Sequence, residues 1–376
     1  MASNQAQAQE RLLHVSADLL KRQIELVLSA WGMARSQIDI VSDLLVETDL
    51  RGIESHGASM LPLYDKMRRA GGLNMTPRSK IVRENPATAL IDGDAGLGHP
   101  VAVEAMNLAV QKCKRIGVGA VSVVNSHHFG ATGLYAEMAA RKGVVALVTS
   151  SARTVAVIPT GGSRPVLGTN PIAFAAPASR DDPFVLDMST SAVAANKVKV
   201  YAYHQTPLPV GWVVDGAGQP VSDPKEGFRI CMESDVGGLM PMGGTRETGT
   251  HKGYGLAVMA QLLGSTLAGG SFSPFHKRDA KPGAPDNIGH FFLAIDPAFF
   301  RESGSFEEEV SDILDHLRST PAIDPKNPVI VAGEPEFARR AERLKSGIPL
   351  NEAFLEDVRT VAKSAGVDFI LDSKGE

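Results

Sequence analysis

The chain has 376 residues, 43% of them hydrophobic, and a formal net charge of -4. This length and apolar content allow a buried core in one large domain or two smaller ones, and the charge gives no reason to expect a nucleic-acid partner. The two cysteines, Cys113 and Cys231, exclude a disulfide framework and, without a paired spacing, argue against a cysteine-based zinc site.

The N-terminal segment, residues 1–10, is rich in alanine and glutamine and has no basic stretch before an apolar run, so we expect no signal peptide. The most apolar stretch follows Lys252 and is interrupted by glycines and by Gln261, so we expect no membrane span. The sequence therefore predicts a cytoplasmic protein whose cysteines stay reduced.

The first part of the chain predicts helices. Ser16 is placed to cap a first helix, which Gly32 ends. Ser36 with Asp39 resembles a capping box for a second helix. A third helix is predicted over residues 58–70.

From residue 79 the apolar period changes to that of strands alternating with helices, which predicts an α/β body. The predicted strands cover 80–83, 88–92, 118–124, 144–149, 184–186, 290–295 and 328–332. The predicted helices cover 101–114, 130–141, 251–268, 306–317, 336–345 and 351–365. Residues 211–249 and 269–286 are predicted to be loops because they are rich in glycine, proline and polar residues. Helices at both ends predict a helical domain of residues 1–75 completed by 334–376, with an α/β domain of 76–333 inserted between them.

Two histidine motifs lie at element termini, where side chains meet substrates. His56 follows Ser55 at a predicted helix start, and His128 follows His127 at the end of a predicted strand. A histidine of near-neutral pKa can give and take a proton, although a helix-terminal histidine can instead bond only to backbone. We interpret His127 as a structural neighbour, since adjacent residues at a strand end point in different directions. A zinc site is disfavoured because no HExxH motif or similar pair is present.

Three further segments can approach a ligand. The sequence Gly168-Thr169-Asn170-Pro171 is a turn by composition, and Asp187 to Thr190 follow a predicted strand. Lys252 lies between glycines at a predicted helix N-terminus, where anions are stabilised. No glycine-rich dinucleotide loop stands in a strand-turn-helix context, so a Rossmann domain is not expected.

In this order the motifs resemble the type 2 malate/L-lactate dehydrogenase family, which includes ureidoglycolate dehydrogenase, diketogulonate reductase, sulfolactate dehydrogenase and piperideine-carboxylate reductase. The resemblance runs from Leu19 to Asp368. It implies a non-Rossmann nicotinamide-binding α/β fold, NAD or NADP as cofactor, and hydride transfer at C2 of a small 2-hydroxy or 2-oxo carboxylate. It also implies a homodimer in which the partner chain helps to complete the active site.

The resemblance assigns roles residue by residue. The proton-transfer residue is His56, or His128 as in one branch of the family. The implied substrate-binding residues are Ser55, Met60, Tyr64, Thr169 and Asn170. The implied cofactor-binding residues are Asp187, Met188, Ser189, Thr190, His251, Lys252, Gly333, Glu334 and Pro335.

Met60 departs from the family, which carries an arginine at this position to pair a substrate carboxylate. This points to a less acidic substrate or to carboxylate binding from elsewhere, unless Met60 is only a core residue. The sequence leaves open a reductase of cyclic imines and a ligand-binding homologue that has lost catalysis. It also leaves open the choice between NADH and NADPH.

Overall fold

In a computed structural model, which describes residues 12–281 and 283–372 and all of their side chains except that of Tyr203, contacts group the chain into two units. The first unit is the described part of Met1–Arg69 and Pro335–Glu376, and the second is the described part of Ala70–Glu334. Helices dominate the first unit, and a large sheet with flanking helices forms the second.

The regular elements are numbered in chain order. The α-helices are α1 (Ala17–Ala30), α2 (Arg35–Leu50), α3 (Leu61–Arg69), α4 (Gly98–Ile116), α5 (Thr132–Ala140), α6 (Ala195–Tyr203), α7 (Pro224–Glu233), α8 (Thr250–Gly264), α9 (Ser273–Asp279), α10 (Ser305–Arg318), α11 (Glu334–Ser346) and α12 (Glu352–Ala365). The strands are β1 (Leu13–Val15), β2 (Lys80–Glu84), β3 (Thr88–Asp92), β4 (Val118–Ser126), β5 (Val145–Ser150), β6 (Ile172–Ala176), β7 (Phe184–Met188), β8 (Val213–Val214), β9 (Gly238–Leu239), β10 (Ile288–Ile295) and β11 (Ile348–Leu350).

The first helix begins as predicted, because the Ser16 hydroxyl accepts the backbone N–H of Leu19 at 3.2 Å. The capping box predicted for the second helix is wrong. Helix α2 begins one residue before Ser36, and its N-cap residue, Ala34, makes no side-chain cap. Asp39 instead pairs with Arg35 at 2.6 Å one turn away, so the helix start is stabilised by an ion pair.

The predicted helix at 58–70 is divided in the structure. A 3₁₀ turn, Ala58–Met60, precedes α3, and the N–H of Leu61 bonds to the carbonyl of Ala58. Pro62 has no N–H to donate, so it fits the first turn of an α-helix but not a helix that starts at residue 58. The first unit also contains a short antiparallel pair, β1 with β11, which a three-residue pattern does not reveal.

The second unit is built on a mixed seven-stranded sheet with the order β2-β3-β4-β10-β5-β6-β7. Only β3 and β4 pair in parallel, and the other neighbours are antiparallel. Strand β10 lies between β4 and β5 although it follows them by more than a hundred residues. The α/β class is therefore confirmed, and this strand order is not that of a doubly wound parallel sheet.

Three sequence expectations in the second unit are wrong. The predicted loop 211–249 contains β8, α7 and β9, where Asp223 caps α7 and Pro224 occupies its first turn. The predicted loop 269–286 contains α9. The predicted strand 328–332 is not a strand, since the N–H of Val331 bonds to the Glu334 carboxylate at 2.8 Å instead of to a ladder partner.

Helix α8 is the most apolar helical stretch predicted from the sequence. Within residues 12–281 and 283–372, no single helix is long and apolar enough to cross a membrane. By length and composition alone, the bent pair Thr250–Ala268 and Ser273–Asp279 passes the same test, with a bend of 56°.

The Ser16 cap of α1 can be tested by comparison with Ser36, which was wrongly predicted to cap α2. Ser16→Ala should lower the free energy of unfolding by about 1 kcal/mol, because one N–H of the first turn loses its acceptor. Ser36→Ala is the matched control and should change stability little, since Ser36 is exposed and does not cap α2. Thermal and urea unfolding followed by circular dichroism measure both variants. Equal losses in the two variants would contradict this assignment of the caps.

Candidate functional site

His56, the proton-transfer candidate in the first unit, lies in a 3₁₀ turn, Glu54–His56, that follows α2. The Ser55 hydroxyl lies 2.8 Å from Nδ1 of His56 and holds that edge of the ring. Burial lowers the pKa of His56 below that of an ordinary histidine. The neutral imidazole is therefore favoured near neutral pH, and its protonated form is a good proton donor.

A buried carboxyl group, that of Asp49, contacts the residues that directly follow this turn. It lies in the last turn of α2 at 1% exposure, and its Oδ2 accepts the backbone N–H of Ala58 at 2.8 Å. Burial, with a smaller contribution from nearby Glu54, raises the pKa of Asp49 to about 8, although the Ala58 N–H and Arg343 act to lower it. The carboxyl occupies the space that a side chain on residue 57 would fill, because a Cβ on Gly57 would be 2.0 Å from Asp49 Oδ1.

Helix α11 secures the same corner through its arginines. Arg343 donates to the backbone carbonyl of Asp49 and, at 2.6 Å, to the carboxylate of Glu54. Arg340 donates to Glu47 on α2 at 2.7 Å. The histidine turn is thus held between α2 and α11 within one unit.

Two residues with predicted substrate roles also lie in the first unit. Tyr64 on α3 is fully buried, and burial raises the pKa of its hydroxyl. Met60, at the end of the 3₁₀ turn, is half-buried. The substrate-binding roles of Ser55, Met60 and Tyr64 remain predictions.

In the second unit the adjacent histidines point to different surroundings, as the sequence led us to expect. His127 is 1% exposed, with Nε2 2.8 Å from the carbonyl of Gly72 and Nδ1 3.3 Å from Asp286. His128 is half-buried, and its ring lies 6.3 Å from that of His99 in an edge-on arrangement. His127 therefore anchors the loop, and His128 is the candidate for chemistry.

The loop after β4 is fixed by close packing. The ring of Phe129 stacks on that of His290 at 4.3 Å, and His290 bridges Ser150 at 2.8 Å and Ser126 at 3.0 Å. Burial lowers the pKa of His290 to about 3, so this ring is neutral. At the start of α4, a Cβ on Gly98 would be 2.4 Å from the loop backbone.

The segments around residues 169 and 187 meet through backbone and side-chain bonds. The Thr190 N–H and hydroxyl both donate to the carbonyl of Thr169 at 2.9 Å. Asn170 is fully buried; its side chain accepts from Ala152 and donates to the carbonyl of Ala257, each at 3.0 Å. These bonds account structurally for the Asn170 amide, and its contact with substrate remains a prediction.

Asp187 lies within β7 rather than after it. Its Oδ2 accepts the N–H of Gly133 at 2.6 Å and thereby serves the first turn of α5, whose own N-cap residue, Ala131, makes no side-chain cap. Helix α5 follows directly on the His128 loop. Asp187 therefore ties β7 to that loop, and Met188 and Ser189 follow it at the strand end.

The N-terminus of α8 has the features of an anion site. His251 and Lys252 are exposed in its first turn, and a Cβ on Gly255 would meet nothing within 4 Å. Among the described residues, the buried hydroxyl of Thr250 has no hydrogen-bond partner. An orphan hydroxyl, a lysine and open backbone at a helix N-terminus fit a phosphate-bearing cofactor. Gly253 is required by packing and not by access for a ligand, because a Cβ there would be 2.2 Å from the carbonyl oxygen of Met242.

Glu334, within the predicted cofactor segment Gly333 to Pro335, is engaged in the fold. Its carboxylate accepts the N–H of Val331 at 2.8 Å and pairs with Arg318. The cofactor role of the segment remains a prediction. In the part of the chain that the structure describes, no group of three or more histidine, cysteine, aspartate or glutamate side chains is arranged to hold a metal ion.

Sequence reasoning missed Asp49, Arg343 and His290. A signal for Asp49 was present, because a carboxylate in the last turn of a helix opposes the helix dipole and implies a specific partner. His290 interrupts an apolar strand, which is a weaker signal. Arg343 gave none, since arginines on a polar helix are common.

Comparison with known proteins identifies a family and relatives that match nearly the whole chain. Residues 15–359 match the family described as malate/L-lactate dehydrogenase. A malate dehydrogenase of Pyrococcus horikoshii is 39% identical over 96% of this chain and 97% of its own, and an L-sulfolactate dehydrogenase of Methanocaldococcus jannaschii is 33% identical over 91% and 94%. The crystal structure of malate dehydrogenase from Entamoeba histolytica superposes with a TM-score of 0.90 at 31% identity, covering 95% of this chain and 99% of the other.

Proposed function

Because the chain belongs to the malate/L-lactate dehydrogenase family, we propose that it is an NAD(P)-dependent dehydrogenase of small 2-hydroxy acids. The reaction is reversible hydride transfer between C2 of a 2-hydroxy or 2-oxo carboxylate and the nicotinamide of NAD or NADP. The family match over residues 15–359 carries this proposal. Relatives named as malate and sulfolactate dehydrogenases support the substrate class.

His56 is the proposed general acid/base. In the oxidative direction the hydroxyl proton passes to the neutral imidazole as C2 loses a hydride, and the 2-oxo acid forms. In the reverse direction the imidazolium returns a proton to the carbonyl oxygen. We assign the exchange to Nε2, because Ser55 holds Nδ1 at 2.8 Å. The lowered pKa of His56 keeps the base form populated below neutral pH.

The cofactor, when bound, supplies or accepts the hydride. The proposed cofactor-binding residues are Lys252 and His251 at the start of α8, Asp187 to Thr190 at the end of β7, and Gly333 to Pro335. Lys252 and the N-terminal amides of α8 stabilise the pyrophosphate charge. Thr169, Asn170 and Tyr64 are assigned to substrate contact.

We also propose how the domains are arranged along the chain and how the chains associate. The cofactor-binding α/β domain, residues 76–333, is inserted between the helical segments 1–75 and 334–376. The protein is a cytoplasmic homodimer in which each chain helps to complete the active site of the other. Sedimentation analysis tests the oligomer, and mixing two differently inactivated variants tests shared sites by restored activity.

We expect His56→Ala to lower turnover by about 10²- to 10⁴-fold, the usual effect of removing a general acid/base, with little change in cofactor affinity. His128→Ala is measured in parallel, because His128 is the second candidate. His204→Ala, an exposed histidine at the end of α6, is the control and should leave turnover unchanged. Steady-state absorbance of the reduced cofactor gives kcat. Wild-type turnover in His56→Ala with a large loss in His128→Ala would transfer the role to His128.

Lys252→Ala should weaken cofactor binding, and the loss should shrink as salt rises, because a charge-phosphate contact is screened. Lys225→Ala, an exposed lysine on α7, removes the same charge elsewhere and should have little effect. Titration of cofactor fluorescence at low and high salt gives the dissociation constants. A dissociation constant that is unchanged in Lys252→Ala at low salt would return this side chain to the solvated surface.

Met60 should set the preference among substrates. An apolar side chain leaves a second substrate carboxylate unpaired, which is costly, but it accommodates an apolar substituent. We therefore expect oxaloacetate to be a poorer substrate than less charged 2-oxo acids or cyclic imines, and Met60→Arg to raise its relative kcat/KM. Met60→Leu is the control that keeps the site apolar. If oxaloacetate already leads the wild-type panel, the inference from Met60 fails.

A further inference from the structure

We propose that Asp49 is a positioning residue for His56, which it holds through the backbone of Gly57 and Ala58. The proposal rests on the proposed function in one respect, namely that His56 exchanges the proton. Asp49 itself touches none of the reacting atoms in this scheme. Its role is to fix where the imidazole stands.

The histidine turn is closed at both of its ends. At its start, the His56 N–H bonds to the carbonyl of Ile53 at 2.9 Å. At its exit, the Ala58 N–H bonds to Oδ2 of Asp49 at 2.8 Å. Ala58 is fully buried, so without this carboxyl its N–H would lose an acceptor in a place that water does not reach.

Contact with Gly57 makes the carboxyl a steric support as well. A Cβ on Gly57 would lie 2.0 Å from Oδ1 and 2.3 Å from Cγ of Asp49, both far inside van der Waals contact. The residue directly after His56 therefore rests on the carboxyl group. A displacement of that group displaces the turn.

The backbone of Asp49, which carries the carboxyl, is itself fixed by a bond from α11. Arg343 on α11 donates to the backbone carbonyl of Asp49 and, through its other terminal nitrogen, to Glu54 at the start of the turn. Arg343 thus links Asp49, which contacts the end of the turn, to Glu54, which begins it. Arg343 is 9% exposed, so its bond to the Asp49 carbonyl is shielded from solvent, whereas the Glu54 carboxylate that it also binds is exposed.

Burying an aspartate at this position costs free energy that burying an apolar residue would not. Burial raises its pKa to about 8, which reflects the cost of the charged form, and an apolar residue would pack there without that cost. What an apolar residue cannot do is accept the Ala58 N–H. An asparagine can, and it carries no charge.

The test compares Asp49→Ala and Asp49→Asn with Thr48→Ala. Thr48 is the matched control, because it is equally buried on the same helix and its hydroxyl bonds only to Leu44 within that helix. We expect Asp49→Ala to lower kcat by about 10- to 100-fold, since a displacement of about 1 Å has an effect of this size. Cofactor affinity should not change. Asp49→Asn should restore most of the lost kcat, and Thr48→Ala should keep it.

A double-mutant cycle with Gly57→Ala tests the contact itself. Gly57→Ala should lower kcat in the wild-type background but add little in Asp49→Ala, because the atoms that it meets are gone. Additive losses would overturn the proposal. So would equal kcat values in Asp49→Ala and Thr48→Ala, or no recovery in Asp49→Asn. If Asp49→Ala does not fold, Asp49→Asn and Gly57→Ala still decide, because the proposal requires near-wild-type kcat in the first and a loss in the second.

The imidazole titration of His56, followed by nuclear magnetic resonance, separates this proposal from the proposed function. We expect the lowered pKa to move toward the ordinary value in Asp49→Ala, as the turn opens to water, and to stay low in Asp49→Asn. An unchanged titration in Asp49→Ala overturns the positioning role. A changed titration with wild-type turnover in both Asp49→Ala and His56→Ala supports positioning and overturns only the catalytic assignment of His56.

Discussion

The placement of β10 between β4 and β5 is the constraint on which the second unit depends. Its residues pair with both neighbours, and His290 joins Ser126 at the end of β4 to Ser150 at the end of β5. Phe129 then stacks on His290 and fixes the loop that carries His128. Because β10 follows β5 by more than a hundred residues, the packing of the His128 loop depends on a contact that is distant in sequence.

In the first unit, hydrogen bonds and one ion pair, instead of a sheet, fix the turn that carries His56. A histidine turn has too few contacts of its own to hold a ring in place, and here Asp49, Glu54 and Arg343 tie it to two helices. Removing the Asp49 carboxyl would leave the buried N–H of Ala58 without its acceptor, which is costly. The arrangement therefore favours one position of the turn over its alternatives, and a proton-transfer group benefits from a fixed position because its efficiency depends on reach.

Local patterns recovered the elements whose signals lie within a few residues. The Ser16 cap, the strands at 80–84 and 88–92 and the long helix at 98–116 follow from capping and periodicity. The capping box at Ser36 failed because α2 begins at Arg35, where Asp39 pairs with Arg35. The predicted strand at 328–332 failed because the N–H of Val331 bonds to the Glu334 carboxylate, although the Val185 N–H on β7 bonds to the carbonyl of Ala332 at 3.4 Å. The helices α7 and α9 were missed since glycine and proline around them favoured loops.

The sequence by itself determined the α/β class, the family resemblance and the candidate residues His56, His128, Asp187 and Lys252, because the order and spacing of motifs are carried by the chain. Only the tertiary structure decided the mixed sheet order and the partners of the buried groups. Asp49 and Ala58 are nine residues apart, Asp49 and Arg343 are 294 apart, and His290 and Ser126 are 164 apart. A buried polar group takes whichever partner the folded backbone brings within hydrogen-bond distance, and no local pattern in the sequence records that choice.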